Sequence, residues 1–130
     1  NLDFGMMDYE FYLDHSICSA ARQMHAKAIF AYTEAGNTPR IISSLLPSCP
    51  VIAVTRDEKT YRQLSIVSDV IPLLVNEEGK PKEIIAKGIE KAKALNLVKS
   101  GDVIAIAGGE TILANNDSKM NRTIGGVIFA

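Results

Sequence analysis

Four short, almost uninterrupted apolar runs recur along this chain: Lys27 to Thr33 (KAIFAYT), Pro50 to Thr55 (PVIAVT), Val70 to Val75 (VIPLLV) and Val103 to Ala107 (VIAIA). Runs this short, rich in β-branched residues and lacking apolar/polar alternation, are the pattern of strands covered on both faces. Strands of that kind pair in parallel, and parallel pairing needs crossover segments long enough to hold a helix. The segments between the runs supply them. From Tyr12, residues Leu13, Ile17, Ala20, Ala21 and Met24 fall on one helical face, which ends near His25. Thr38 before Pro39 has the chemistry of an N-cap and first turn, with Ile41, Ile42, Leu45 and Leu46 as the apolar face and Pro47 as the stop. Thr55 and Glu58 have the spacing of a capping box for a helix through Leu64 and Val67. Pro81 opens a longer helix with Ile84, Ile85, Ile89, Ala92 and Leu95 inward and Lys82, Lys87, Lys91 and Lys93 toward solvent.

After the fourth run no helical pattern intervenes before Thr123 to Ala130 (TIGGVIFA), which reads as a last strand weakened by Gly125 and Gly126 and joined antiparallel at an edge. The sequence therefore predicts an α/β fold, a three-layer αβα sandwich around a mixed, mostly parallel five-stranded sheet whose last strand is antiparallel. A chain of 130 residues, 47% of them hydrophobic, has material for one core. Residues 1–11 carry Gly5 and no clear periodicity and are expected to be a linker or arm leading in from upstream, with residues 12–130 as the domain. A start at Asn1 without an initiator Met is what a piece of a longer polypeptide shows.

Charge and cysteine content remove several classes of partner. With 14 basic and 15 acidic residues, the chain has no field to draw in nucleic acid or an anionic membrane surface. Its apolar runs are far below the roughly 20 residues a spanning helix needs. Cys18 and Cys49 have no metal-type spacing, and only His15 and His25 offer imidazoles, so two reduced thiols in a cytoplasmic protein and no metal site are expected. No nucleophile, acid–base or metal constellation stands at readable spacing, so no residue is assigned a catalytic role.

In a parallel sheet, ligands settle beyond the carboxyl ends of the strands, where loops meet helix N-termini. Two loops qualify. Thr33, Glu34, Ala35, Gly36, Asn37 and Thr38 combine two hydroxyls, a glycine that admits close backbone approach and a helix start, which is also what a plain strand-to-helix turn contains. The second loop begins at Gly108 and Gly109 and runs to about Asn121, longer than usual connections, and it lacks the spacing of a phosphate-cradling or dinucleotide glycine motif.

The run AKAIFAYTEAGNTPRIISSLLPSCPVIAVTRDEKTYRQLSIVSDVIPLLV at 26–75 resembles the C-terminal domain of pyruvate kinase, with its "T-x-x-G-x-T-x-R" loop, "I-A-V-T" strand, "T-x-R-Q-L" helix and "P-L-L" strand in order. The similarity continues through IEKAKALNLVKSGDVIAIAGG at 89–109 and into the closing strand. It implies a regulatory and oligomerisation domain of a glycolytic enzyme that transfers phosphoryl from phosphoenolpyruvate to ADP. A free-standing anion-binding or protein-interaction module on the same fold is the alternative. The implied catalytic barrel alone needs about 250 residues, so the chain by itself is expected to be inactive, to hold no cofactor, and to leave the parent's magnesium and potassium to the rest of the enzyme. The resemblance also implies a homo-oligomer and a phosphorylated small-molecule effector at Thr33–Thr38. Glu34 stands where responsive members often carry Lys, and Ala35 where they carry a hydroxyl; the stretch from Gly108 to Asn121 has neither the aromatic residue nor the Arg that hold a second phosphate in some members. Weak binding of a simple phosphate, without tight binding of a sugar bisphosphate, is the resulting expectation.

Overall fold

The computed structural model describes the backbone of residues 2–107 and 126–130, with side chains from Glu10 onward in those ranges. Its elements run α1 (Leu2–Gln23), β1 (Ile29–Tyr32), α2 (Asn37–Ser44), β2 (Val51–Thr55), α3 (Glu58–Leu64), β3 (Val70–Leu74), α4 (Pro81–Ala94), β4 (Val103–Ala107) and β5 (Val127–Phe129). The strand order is β3-β2-β1-β4-β5. β1 pairs in parallel with β2 and β4, β2 in parallel with β3, and β5 antiparallel with β4. This is the mixed, mostly parallel sheet with an antiparallel last strand that the sequence predicts.

Handedness sorts the helices onto the two faces. The chain steps from β1 to β2 to β3 in one direction, then crosses back to place β4 on the far side of β1. Crossovers of one hand, taken in opposite directions, put their helices on opposite faces. Accordingly Ile17, Cys18 and Ala21 of α1, Ile42 of α2 and Leu64 of α3 pack with Ile29, Ala31, Val51, Ala53, Ala105 and Ala107. Ile84, Ile85, Ile89 and Ala92 of α4 pack with Phe30, Tyr32, Ile52, Val54, Ile104 and Ile106 on the other face. Three helices crowd the first face and it is lined by alanines; α4 covers the second alone, and bulkier side chains fill it.

The helix ends differ from the sequence reading in one consistent way. Met24, Leu46 and Leu95, each expected to point inward, are 54%, 77% and 54% exposed. Each stands at or just past the last turn of its helix, where His25, Leu46 and Asn96 take left-handed backbone conformations with φ of 54°, 54° and 61°. That turn swings the chain off the helical face. The closing bonds are Ala26 N to Ala21 O and Leu97 N to Ala92 O, both 2.9 Å, and Ala26 and Val98 then carry the chain back into the core. The buried face of α1 is Asp14, Ile17, Cys18 and Ala21, with Ala20 only half-buried.

The helix starts differ too. α1 begins at Leu2, so the segment read as an arm is helical; a helix anchored by its later turns propagates through Gly5 at a cost of about 1 kcal/mol. α3 is capped by Asp57, whose Oδ2 accepts from Thr60 N at 3.0 Å. Thr55, expected as the cap, is fully buried at the end of β2 and accepts from Asp57 N instead. α4 starts as expected with Pro81, and Glu83 Oε1 accepts from Lys80 N at 2.9 Å. The last strand is Val127–Phe129, shorter than the expected stretch, whose residues 123–125 lie outside the described residues.

α4 approaches the sheet most closely at Gly88, where an added Cβ would stand 2.6 Å from Val54 Cγ2 and 2.9 Å from its Cγ1. Val54 is fully buried and stiff at χ1, so it has no room to yield. Gly88→Ala is expected to lower stability by about 1–3 kcal/mol through overpacking. Its urea midpoint measures this, and a midpoint at or above wild type would contradict the close contact.

Candidate functional site

Because the chain reverses direction at β1, the loop leaving β1 opens beside the end of β4, at the switch point of the sheet where open α/β folds bind ligands. Thr33 extends β1, its N–H donating to Val54 O at 3.0 Å. The chain then rises through Glu34 and Ala35, both exposed, and enters α2 at Gly36. β4 ends at Ala107, paired with Ala31. Gly108, Gly109 and the loop to Asn121 lie outside the described residues.

Gly36, rather than Thr38, is the N-cap of α2, with φ of 95°. A glycine takes this left-handed conformation without a Cβ penalty. Its N–H donates to Thr33 Oγ1 at 2.6 Å, so the loop satisfies part of its own anion-binding potential. Thr38 is buried inside the first turn and its hydroxyl donates to Glu10 Oε1 of α1 at 3.1 Å. The first-turn N–H groups of Asn37 and Thr38 have no helical acceptor, as at any helix N-terminus.

Residues outside the expected stretch frame the loop. Arg40 Nη1 donates to Ala35 O at 3.2 Å. Thr60 Oγ1 stands 2.7 Å from both Glu34 O and Asp57 Oδ2, one hydroxyl proton serving two acceptors and tying α3 to the loop. Those bonds from Thr60 hold the Asp57 carboxyl below its ordinary range. Tyr32 is buried, and its hydroxyl donates to Glu34 Oε1 over a long 3.4 Å. Burial, then the Glu34 charge, push the Tyr32 phenol up, while Arg56 opposes them. Arg56 also pairs at 3.5 Å with Glu78, where both side chains are well exposed. The loop thus has Arg40 and Arg56 nearby and the Glu34 carboxylate in its middle.

Of these, Arg40 is legible in the sequence as the last position of the "T-x-x-G-x-T-x-R" pattern, and Arg56 as a charge immediately after a buried parallel strand. Glu10 falls in the segment read as an arm and gives no sequence signal. Among the described residues no group of three or more His, Cys, Asp or Glu is placed to hold a metal ion. No helix among them is long and apolar enough to cross a membrane.

The comparison with known families decides what this arrangement belongs to. Residues 13–121 match the model of the pyruvate kinase α/β domain. The chain belongs to that family. It is 37% identical over 92 residues to the pyruvate kinase of Clostridium acetobutylicum, covering 71% of this chain and 20% of that protein. With the pyruvate kinase of Lactococcus lactis it shares 36% identity over 110 residues, 84% of this chain and 22% of the relative. Two crystal structures of Cryptosporidium parvum pyruvate kinase superpose with TM-scores of 0.72 and 0.74, at 30% and 25% identity, covering 78% and 94% of this chain and 21% and 22% of theirs. The chain therefore spans about a fifth of the length of the pyruvate kinases it matches.

At Gly36 an added Cβ would meet Arg40 Nη1 at 2.6 Å and Leu64 Cδ2 at 3.3 Å, and any non-glycine residue is strained at its φ. Gly36→Ala is expected to cost about 1–2 kcal/mol from the left-handed backbone, because the Arg40 side chain can swing away. Denaturant unfolding reads the loss; a neutral result would mean the loop relaxes out of the left-handed turn.

Proposed function

We propose that this chain serves as the regulatory and oligomerisation part of a cytoplasmic pyruvate kinase, whose remaining domains transfer phosphoryl from phosphoenolpyruvate to ADP in glycolysis, giving pyruvate and ATP. The observation that carries this reading is the family match across residues 13–121 on a fold that is filled by its own core. The parent's magnesium and potassium belong, on this reading, to the domains that hold the phosphates. The Thr33–Thr38 loop is the effector site, and its occupant is a small phosphorylated molecule held weakly.

Weakness follows from what the loop already does. The Gly36 N–H and the Thr38 hydroxyl are engaged by Thr33 and Glu10. A helix N-terminus contributes roughly 0.3–1 kcal/mol toward an exposed anion. At an effective dielectric of about 20, Glu34 opposes it by an amount that matches or exceeds the helix contribution. Glu34→Lys reverses that charge and is expected to tighten inorganic phosphate by about 1 kcal/mol or more, roughly fivefold. Titration calorimetry at low salt, with fructose bisphosphate as a second probe, measures it. Micromolar bisphosphate affinity in the wild type, or no gain in the Lys variant, would overturn this account of the site.

Self-association rests on a separate observation. Phe11 and Tyr12 on the outer side of α1 are 41% and 64% exposed, and Phe129 on the edge strand β5 is 74% exposed. An open sheet edge carrying a large aromatic is a surface that a second copy covers. Sedimentation equilibrium is expected to show a dimer at high protein concentration, weakened by Phe129→Asp. A monomer throughout the accessible range would count against the oligomerisation role.

A further inference from the structure

Asp14 lies on the inner face of α1 with 1% of its surface exposed, and its Oδ2 has no hydrogen-bond partner. One helical turn earlier, Glu10 accepts the Thr38 hydroxyl bond that fastens α1 to the first turn of α2. Residues four apart on a helix are surface neighbours, and the Glu10 charge is felt at the Asp14 carboxyl. A buried carboxylate needs a cation or several donors to remain charged. Among the described residues, the groups facing Asp14 supply neither. On α1 its neighbours are Glu10 and the Cys18 thiol. β4 carries no titratable side chain, and the only one on α2 is Arg40, whose guanidinium is turned to Ala35 O. Arg22, two turns further along, donates to Leu46 O.

We propose that Glu10 and Asp14 form a proton-holding pair that clasps α1 to the Thr33–Thr38 loop, so that the seating of α1 on α2 loosens as the pair gives up its proton. The proton neutralises Asp14 where the core cannot solvate a charge, while Glu10 accepts from the Thr38 hydroxyl. Burial first, and the Glu10 charge second, push the Asp14 carboxyl from 3.8 to about 7. The direction of the pH effect follows. A carboxyl whose proton affinity is higher in the folded chain favours folding fully at and below its unfolded value near 4, and that advantage is lost as pH rises from about 4 to about 7. One proton corresponds to at most about tenfold in the opening equilibrium per pH unit across that window. Loss of the proton places two like charges one turn apart on α1, where Glu10 holds Thr38.

The decisive measurement is a carbon-detected NMR titration of side-chain carboxyls in the wild-type 130-residue chain. The Asp14 signal is expected to titrate two or more units above an ordinary aspartate; a midpoint below 5 overturns the proposal without any variant. Amide exchange, corrected for the intrinsic pH dependence, is expected to show residues 10–21 losing about tenfold or more in protection between pH 5 and 7.5, again within the one-proton limit. In Asp14→Asn that pH dependence is expected to vanish. In Glu10→Gln the Asp14 midpoint is expected to fall yet remain above the ordinary range, because burial is the larger cause. The same pH-dependent loss persisting in Asp14→Asn would overturn the proposal.

Discussion

Two-sided burial of β1 is the constraint on which the rest of the molecule depends. Ile29 and Ala31 face the α1, α2 and α3 layer, Phe30 and Tyr32 face α4, and all four are buried. A strand with no solvent face takes its neighbours by parallel crossovers, which bring helices to both sides. The central position of β1 between β2 and β4 then follows from the reversal of crossover direction. That reversal is also what leaves the Thr33–Thr38 loop at the mouth of the sheet. The architecture that buries the core and the architecture that exposes the candidate site are the same.

The loop itself is held from three sides. Thr33 bonds Gly36 from within, Thr60 reaches across from α3, and Glu10 takes the Thr38 hydroxyl from α1. A loop whose polar groups are already paired keeps its shape but has few donors left for a ligand. On the proposed reading, a family pattern of hydroxyls and a glycine is present while affinity stays low. Arg40 and Arg56 stand near enough to attract an anion, and the Glu34 carboxylate stands near enough to cancel much of that attraction.

Burial has quietened most of the other reactive groups. The Cys18 thiol is raised to about 11, by burial and then by the neighbouring Asp14, and burial raises Cys49 as well. Neither thiol is activated. Asp14 is different because burial leaves its Oδ2 without a hydrogen-bond partner.

The sequence by itself determined the order and type of the elements, because strand burial and helix periodicity are written in residues a few positions apart. The four apolar runs became β1 to β4, Pro81 opened α4, and Gly36 marked the turn into α2. Family membership was legible for the same reason, since a long ordered pattern needs no knowledge of contacts. Only the tertiary structure decided where the helices end and what caps them. Met24, Leu46 and Leu95 have apolar side chains in phase with their helices, yet they stand exposed at the helix ends; after α1 and α4 the left-handed residues turn the following chain inward, and Ala26 and Val98 take up the burial. Asp57 displaced Thr55 as a cap because the buried end of β2 carries Thr55 into the core. The burial of Asp14 was equally invisible, for a carboxylate between Leu13 and Ile17 reads as the polar side of a helix until the sheet and α2 close over it. Neighbours along the chain fix local conformation, whereas the surroundings of a side chain are set by elements distant in sequence. The chemistry of the site depends on those surroundings.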